Sequence, residues 1–308
     1  MFWTEKPHAS AADHRLPEHS LRDANGNGVP DLVENVARQA DAARRAFVHL
    51  GFRDPLENPG YRAVKHIDIN MLSMRFNGRA YDAAVHYPGA PGRGTGCTLR
   101  IDISTHLESH MVGSGARRRR AEFTQDWFVV AHEMFHLFQY GRTPLKRSWI
   151  NEPTAKWAEY ALRRGDLFPP GHTPDILPST FEEFELSVIR HPTGPVANRF
   201  WSRLIRSTEQ QSVRTVLPPE LRALAYTDGR PVLKDHTIRG APFVSRILEE
   251  MAALSSKVLT TGDRVQDKRM TIDRISPRRD RALLDLIRSV ARDQAGENPR
   301  GDAFETAN

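Results

Sequence analysis

At 308 residues, 39% of them apolar and 27% charged, the chain is long enough to bury roughly three quarters of its unfolded surface and too apolar for wholesale disorder. No uninterrupted apolar run of about 18 residues is present, which excludes a helical membrane span. The net charge of +6 comes from 44 basic against 38 acidic residues, 37 of the basic ones Arg; they are scattered among acids without a nucleic-acid motif, so no nucleic-acid partner is expected. A single cysteine, Cys97, excludes a disulfide framework and any multi-cysteine metal site, so a metal here must be held by His, Asp, Glu or backbone oxygen.

In chain order, residues 1–22 are polar and Pro-containing and read as an N-terminal arm; they lack the charged leader, apolar stretch and cleavage site of a secretory signal, as a trimmed mature chain also would. A loop over 23–34 leads into a helix predicted over 32–50, where Val33, Val36, Ala37, Ala40, Ala43 and Phe47 recur at helical spacing and Gly51 ends the run. Strands are predicted over 63–74, 78–86 and 97–103, the last alternating Leu99, Ile101 and Ile103 with Arg100 and Asp102. They make a small mixed or antiparallel sheet. From 124 to 140, Trp127, Phe128, Ala131, Phe135 and Phe138 form a wide apolar stripe, predicting one mostly buried helix with Thr124 as N-cap. A second helix is predicted over 153–164, with Asn151 as N-cap, Pro153 where a missing N–H costs little, and Gly165 closing it. The Pro-rich stretch 168–178 reads as a lobe boundary, and helices are predicted beyond it near 181–190, 196–207, 241–255 and 281–294. The expected organisation is an arm over 1–22, a core over 23–167 and a mainly helical C-terminal lobe over 168–308, in an α+β fold.

Within the helix predicted over 124–140 stands His132-Glu133-Met134-Phe135-His136. This spacing sets two imidazoles one turn apart on one helix face, so that one rigid element offers two zinc ligands. Glu133 lies about 100° round the helix from His132, which brings its carboxylate beside the open metal position, where it can take a proton from water. With 13 His in 308 residues, chance gives on the order of 0.03 such matches in a chain of this composition. The match is informative, although an apolar-flanked His pair on a buried helix can also be a satisfied core pair.

A second pattern, Asp23-Ala-Asn-Gly-Asn-Gly-Val-Pro-Asp-Leu-Val-Glu34, fits the twelve-residue EF-hand loop at every ligand position. Oxygens would come from Asp23, Asn25, Asn27, the Val29 carbonyl, Asp31 and a bidentate Glu34, with Gly28 making the sharp turn. Pro30 stands where EF-hands carry a β-branched residue, and no entering helix precedes, so a solitary Ca2+ loop capping its exit helix is expected, a staple more than a sensor. A metal-free Asn-Gly turn with an acidic N-cap is the alternative. Two amides among the ligands lower the charge and predict weak affinity, suited to millimolar extracellular calcium.

The segment Trp149-Ile-Asn-Glu-Pro-Thr-Ala-Lys-Trp-Ala-Glu-Tyr160 follows. With the His-Glu-x-x-His helix it resembles the gluzincin branch of zincin metallopeptidases, in which a Glu on the next helix, in an Asn-Glu or Trp-x-x-Glu-x-x-Ala setting, is the third zinc ligand. Carried over, that residue is Glu152, 16 residues after His136. Glu159, on about the same helix face, is the competing candidate, or a support that hydrogen-bonds a ligand. Two departures from the relatives' pattern, Pro153 in place of a common Gly and Lys156 in place of an acid, fall around the ligands. Residues 20–165 as a whole resemble exported bacterial metalloproteases, with a fainter echo over 194–204. The resemblance implies a zincin-like fold with a small mixed sheet packed on the His-Glu-x-x-His helix, Zn2+ as cofactor, a peptide or protein substrate, and a secreted or cell-envelope location. The reaction would be peptide hydrolysis with Glu133 as general base. The reading from another class is a catalytically inactive zincin-fold protein that binds calcium and a partner; a monomer is expected in either.

Arg117 to Arg120 read as a solvated loop, with a processing site, an acidic-substrate contact or a phosphate patch as alternatives. Candidates for an oxyanion-stabilising group are Tyr160, His172, His191, Tyr226 and His236. Cys97 is expected to be a buried small hydrophobe, and His66 and His86 to be strand residues rather than ligands.

Overall fold

The computed structural model describes residues 1–4, 13–61, 64–86, 97–163, 177–208, 215–261 and 277–295. Its elements in chain order are α1 (Asp31–His49), β1 (Ile67–Leu72), β2 (Gly78–Ala80), β3 (Val85–His86), β4 (Cys97–Ser104), β5 (Met111–Val112), β6 (Arg119–Arg120), α2 (Phe123–Asp126), α3 (Val129–Arg142), α4 (Ser148–Arg163), α5 (Phe181–Phe184), α6 (Pro195–Thr208), β7 (Thr215–Val216), α7 (Pro219–Arg222), β8 (Thr237–Ile238), α8 (Ala241–Thr261) and α9 (Asp280–Ala295). The fold class is α+β. No helix among the described residues is long and apolar enough to cross a membrane. The chain gathers into two compact units, one of Met1–His49, Arg53–Phe138 and Leu217–Lys234, the other of Leu50–Phe52, Gln139–Val216 and Asp235–Asn308.

In the first unit β4 is the central strand. It runs parallel to β1, with Ile67 opposite Leu99 and Leu72 opposite Ser104, and antiparallel to β2 and β3. The sheet is therefore mixed. Leu99, Ile101 and Ile103 are fully buried on one face. The other face is covered as well. There Asp102, 3% exposed, accepts hydrogen bonds from two nitrogens of Arg100, the Tyr81 hydroxyl and the Asn70 amide. A strand buried on both faces can carry charge only if it is paired and hydrogen-bonded. Burial and the Asp102 carboxylate push the Tyr81 hydroxyl above its usual pKa range. The strand predicted over 78–86 is split into β2 and β3. The arm starts with a single parallel bridge to β1: the Phe2 N–H donates to the Ile69 carbonyl and the Met71 N–H to the Phe2 carbonyl, each at 2.9 Å.

Of the stripe expected on the first helix, Val33, Val36, Ala40, Ala43 and Phe47 are buried, and Ala37 is exposed. Phe47 meets Phe135 and Phe138 of α3 edge-on, with ring centroids 5.0 and 5.4 Å apart, contacts worth about 0.5–1.5 kcal/mol each beyond the area they bury. The same stripe includes Gln39, which donates to the Tyr226 hydroxyl (2.6 Å) and the Trp127 carbonyl (3.1 Å) and accepts from the Val130 N–H (3.1 Å). This side chain accounts for one departure from expectation. The single helix predicted over 124–140 is two, α2 and α3, parted at Trp127, whose backbone is extended (φ −114°, ψ 135°). Gln39 satisfies a carbonyl and an N–H that the break leaves without helical partners. Thr124, expected to cap the helix, lies inside α2, where its hydroxyl donates to Asp228 at 2.6 Å.

In the second unit α4 starts at Ser148, not at Pro153, and Asn151 is an interior residue rather than a cap. Proline inside a helix removes the N–H that would bond the carbonyl four residues back, here that of Trp149. The indole N–H of Trp201 on α6 donates to that oxygen instead, at 3.0 Å. The Trp149 indole donates in turn to Asp280 at 2.7 Å, and Arg147 pairs with the same carboxylate, which is 1% exposed at the start of α9. Phe184, Phe200 and Trp201 pack around Trp149 as an aromatic cluster. The helix predicted near 181–190 is α5 followed by a π-turn over Glu185–Ile189; those near 196–207, 241–255 and 281–294 are α6, α8 and α9. Most of the stretch 168–178 lies outside the described residues.

Candidate metal centre

His132 sits in the first turn of α3 and His136 one turn on, their rings 4.8 Å apart between centroids and inclined at 85°. His136 is buried and His132 half-buried. One ligand atom each from His132, His136 and Glu152 lies within 4.8 Å of the other two. Two imidazole nitrogens and a carboxylate oxygen thus converge, a grouping that could hold a metal ion. Glu159 stands outside it and takes an ion pair from Lys156 at 2.8 Å. Among the described residues no other three His, Cys, Asp or Glu side chains converge in this way.

Glu133 is 6% exposed and lies against the edge strand β2 at Gly78. A Cβ built on Gly78 would stand 2.6 Å from Glu133 Cγ and 2.7 Å from its Oε1. Glycine is what allows strand and carboxylate to approach so closely. Sequence reasoning does not single out Gly78; its only outward signal is a glycine opening a short strand. Asn151, beside Glu152, keeps its Oδ1 buried without a hydrogen-bond partner, a cost of about 1–3 kcal/mol. No protein-family model matches the chain, and comparison with curated proteins and solved structures finds no match.

Residues 23–34 close on themselves at the N-terminus of α1. Asp23 accepts from the backbone N–H groups of Gly26, Asn27 and Gly28 at 2.8–3.3 Å, and Gly28 takes the left-handed turn (φ 82°). Asn25 and Asn27 each accept a backbone N–H through Oδ1, from Asn27 and Val29, and donate through Nδ2 to the two oxygens of Glu34 at 2.9 and 3.1 Å. Asp31 accepts from the Ala24 N–H at 3.3 Å. The loop's hydrogen bonds thus tie Asn25 and Asn27 to Glu34, with amide hydrogens where a cation would bind it, while Asp23, Asp31 and Glu34 do not converge as the metal cluster does.

The other singled-out residues disperse. Tyr226 is buried in the first unit, tied to Gln39. His191 and His236 are exposed, and the Lys156 ammonium lies over the Tyr160 ring, 5.0 Å from its centroid. His172 lies outside the described residues. The arginine run is no plain loop: Arg119 and Arg120 form β6, paired with β5, and Arg119 grips Asp126 through two nitrogens at 2.7 and 2.9 Å while Arg117 and Arg118 stay exposed. Cys97 is half-buried at the start of β4 rather than buried. His66 precedes β1, with its side chain exposed, and His86 is in β3.

Proposed function

We propose that this chain is a zinc metallopeptidase with a gluzincin-type site on a zincin-like scaffold. The observation that carries the reading is the convergence of His132, His136 and Glu152 to within 4.8 Å. Two imidazoles and one carboxylate are the donor set of a catalytic zinc site that keeps a position open, so the residues present fit the ion. Zinc, when bound there, supplies Lewis-acid polarisation of a carbonyl and acidifies water. Glu133, held beside β2, accepts the proton of the attacking water and passes it to the leaving amine nitrogen as the C–N bond breaks and the new C–O bond forms. Among the described residues β2 has β4 on one side only, and its other edge offers backbone donors and acceptors to an extended peptide. The loop over 23–34 binds calcium, and the protein works outside the cytosol, where calcium is abundant.

Metal content after exhaustive dialysis, read beside peptide-library cleavage, tests this. The expected result is about one zinc per chain in wild type and in Glu133→Gln, with none in His136→Ala or Glu152→Ala. Cleavage should fall on the order of 10²–10⁴-fold in Glu133→Gln. A wild-type chain that takes up no zinc on reconstitution overturns the enzyme reading. Zinc retained by a wild type that cleaves nothing leaves a partner-binding role.

A further inference from the structure

Three successive carbonyls in α4, those of Trp149, Ile150 and Asn151, each take a hydrogen bond from a side chain. Trp201 Nε1 donates to Trp149 O at 3.0 Å, Thr154 Oγ1 to Ile150 O at 2.7 Å, and Gln139 Nε2 to Asn151 O at 3.0 Å. Gln139 Nε2 also donates to Thr154 Oγ1 at 2.6 Å. Glu152 lies inside this turn, with Pro153 next to it. A turn that contains Pro153 lacks one of its own backbone bonds, so its shape depends on what holds it from outside.

Of the three donors, Gln139 is the one that stands on the histidine helix. It follows His136 by three residues and His132 by seven, and at 3.6 residues per turn both intervals return to about the same face. Gln139 and Thr154 are fully buried, and Asn151 nearly so. A leucine or methionine would fill that space as well; only an amide offers two N–H groups in one plane, and both are spent on residues that bracket Glu152.

We infer that Gln139 is a positioning residue for the metal centre: its carboxamide fixes the turn of α4 so that the Glu152 carboxylate meets the two imidazoles. The inference rests on the metal-site reading above and deepens it. Partners that orient ligands in this way typically carry 10–100-fold in metal affinity.

The test uses the full chain with Gln139→Met, Thr154→Val and Thr154→Ser. Zinc affinity is read by competition with a chelator of known strength, coordination by the visible spectrum of the cobalt-loaded protein, and folding by thermal unfolding of the metal-free forms. Gln139→Met is expected to weaken zinc about 10–100-fold and to change the cobalt bands, because the third ligand is no longer held at its distance. Thr154→Val, which keeps the Gln139 bond to Asn151, should weaken zinc less, and Thr154→Ser, which keeps the hydroxyl, should restore wild-type affinity. Wild-type zinc affinity and cobalt bands in Gln139→Met, with only the metal-free stability lowered, would overturn the inference and leave a core residue. If Gln139→Met does not fold, the Val and Ser pair at 154 decides by the same readouts. A wild-type chain that binds neither metal would instead bring down the metal-site reading, and this inference with it.

Discussion

Glu133 and Gly78 stand so close that what happens at one position is felt at the other. An alanine at 78 places its Cβ 2.6 Å from Glu133 Cγ, and the easiest relief is for the flexible carboxylate chain to swing away. That movement is inexpensive for the fold and damaging for proton transfer, since a displacement of about 1 Å at a reacting group costs on the order of 10²-fold in rate. Gly78→Ala should therefore lower kcat by about 10–100-fold while leaving the melting temperature within a few degrees of wild type; a fall in both together would point to the backbone of β2 instead. At this scale legibility follows sequence distance. His132, Glu133 and His136 share one helix and Asp23 to Glu34 one loop, so spacing alone brings their chemistry forward. Gly78 and Gln139 act on partners 55 and 12 residues away, and no local pattern marks either of them.

At the scale of elements, the start of α4 shows how a sound local rule misplaces a boundary. Proline is best tolerated in the first turn of a helix, and that preference sets the predicted start at Pro153. The helix nevertheless begins at Ser148, because Trp201, far along the chain, takes the carbonyl that Pro153 cannot serve. The parting of α2 from α3 has the same origin, with Gln39 as the distant partner. The bond between Trp201 and Trp149 can be measured by a double-mutant cycle in urea. Trp201→Phe is expected to cost about 1–3 kcal/mol by stranding a buried carbonyl. In a Pro153→Ala background the new N–H closes the helical bond to the same oxygen, so the cost should shrink, with a coupling of about 1 kcal/mol. Strictly additive costs would mean that the indole contributes packing alone.

For the molecule as a whole, the α+β class, the strand over 97–103 and the positions of most helices could be read from periodicity, which reports how each segment meets a core. The sheet's strand order and the buried ion pair on its second face could not, because both are set by which segments become neighbours. Calcium is expected to act at this scale through mass action. A loop with Kd in the 10⁻⁴–10⁻³ M range should gain about 1.4–2.7 kcal/mol at ~10 mM calcium. In a chain of this size that is a rise of roughly 2–4 °C in melting temperature. Scanning calorimetry of zinc-loaded protein should show the rise in wild type and not in Glu34→Gln; equal curves for the two would exclude occupancy of the loop.

The pairing of Phe2 along β1 has a consequence of a different kind. Its backbone covers the Ile69 carbonyl and the Met71 N–H, which on a bare strand would be a template for a neighbouring molecule. Proteolytic trimming of those first few residues should therefore show itself as turbidity on storage, well before any loss of helix signal. The bridge at Phe2 is thus expected to guard the β1 edge against self-association.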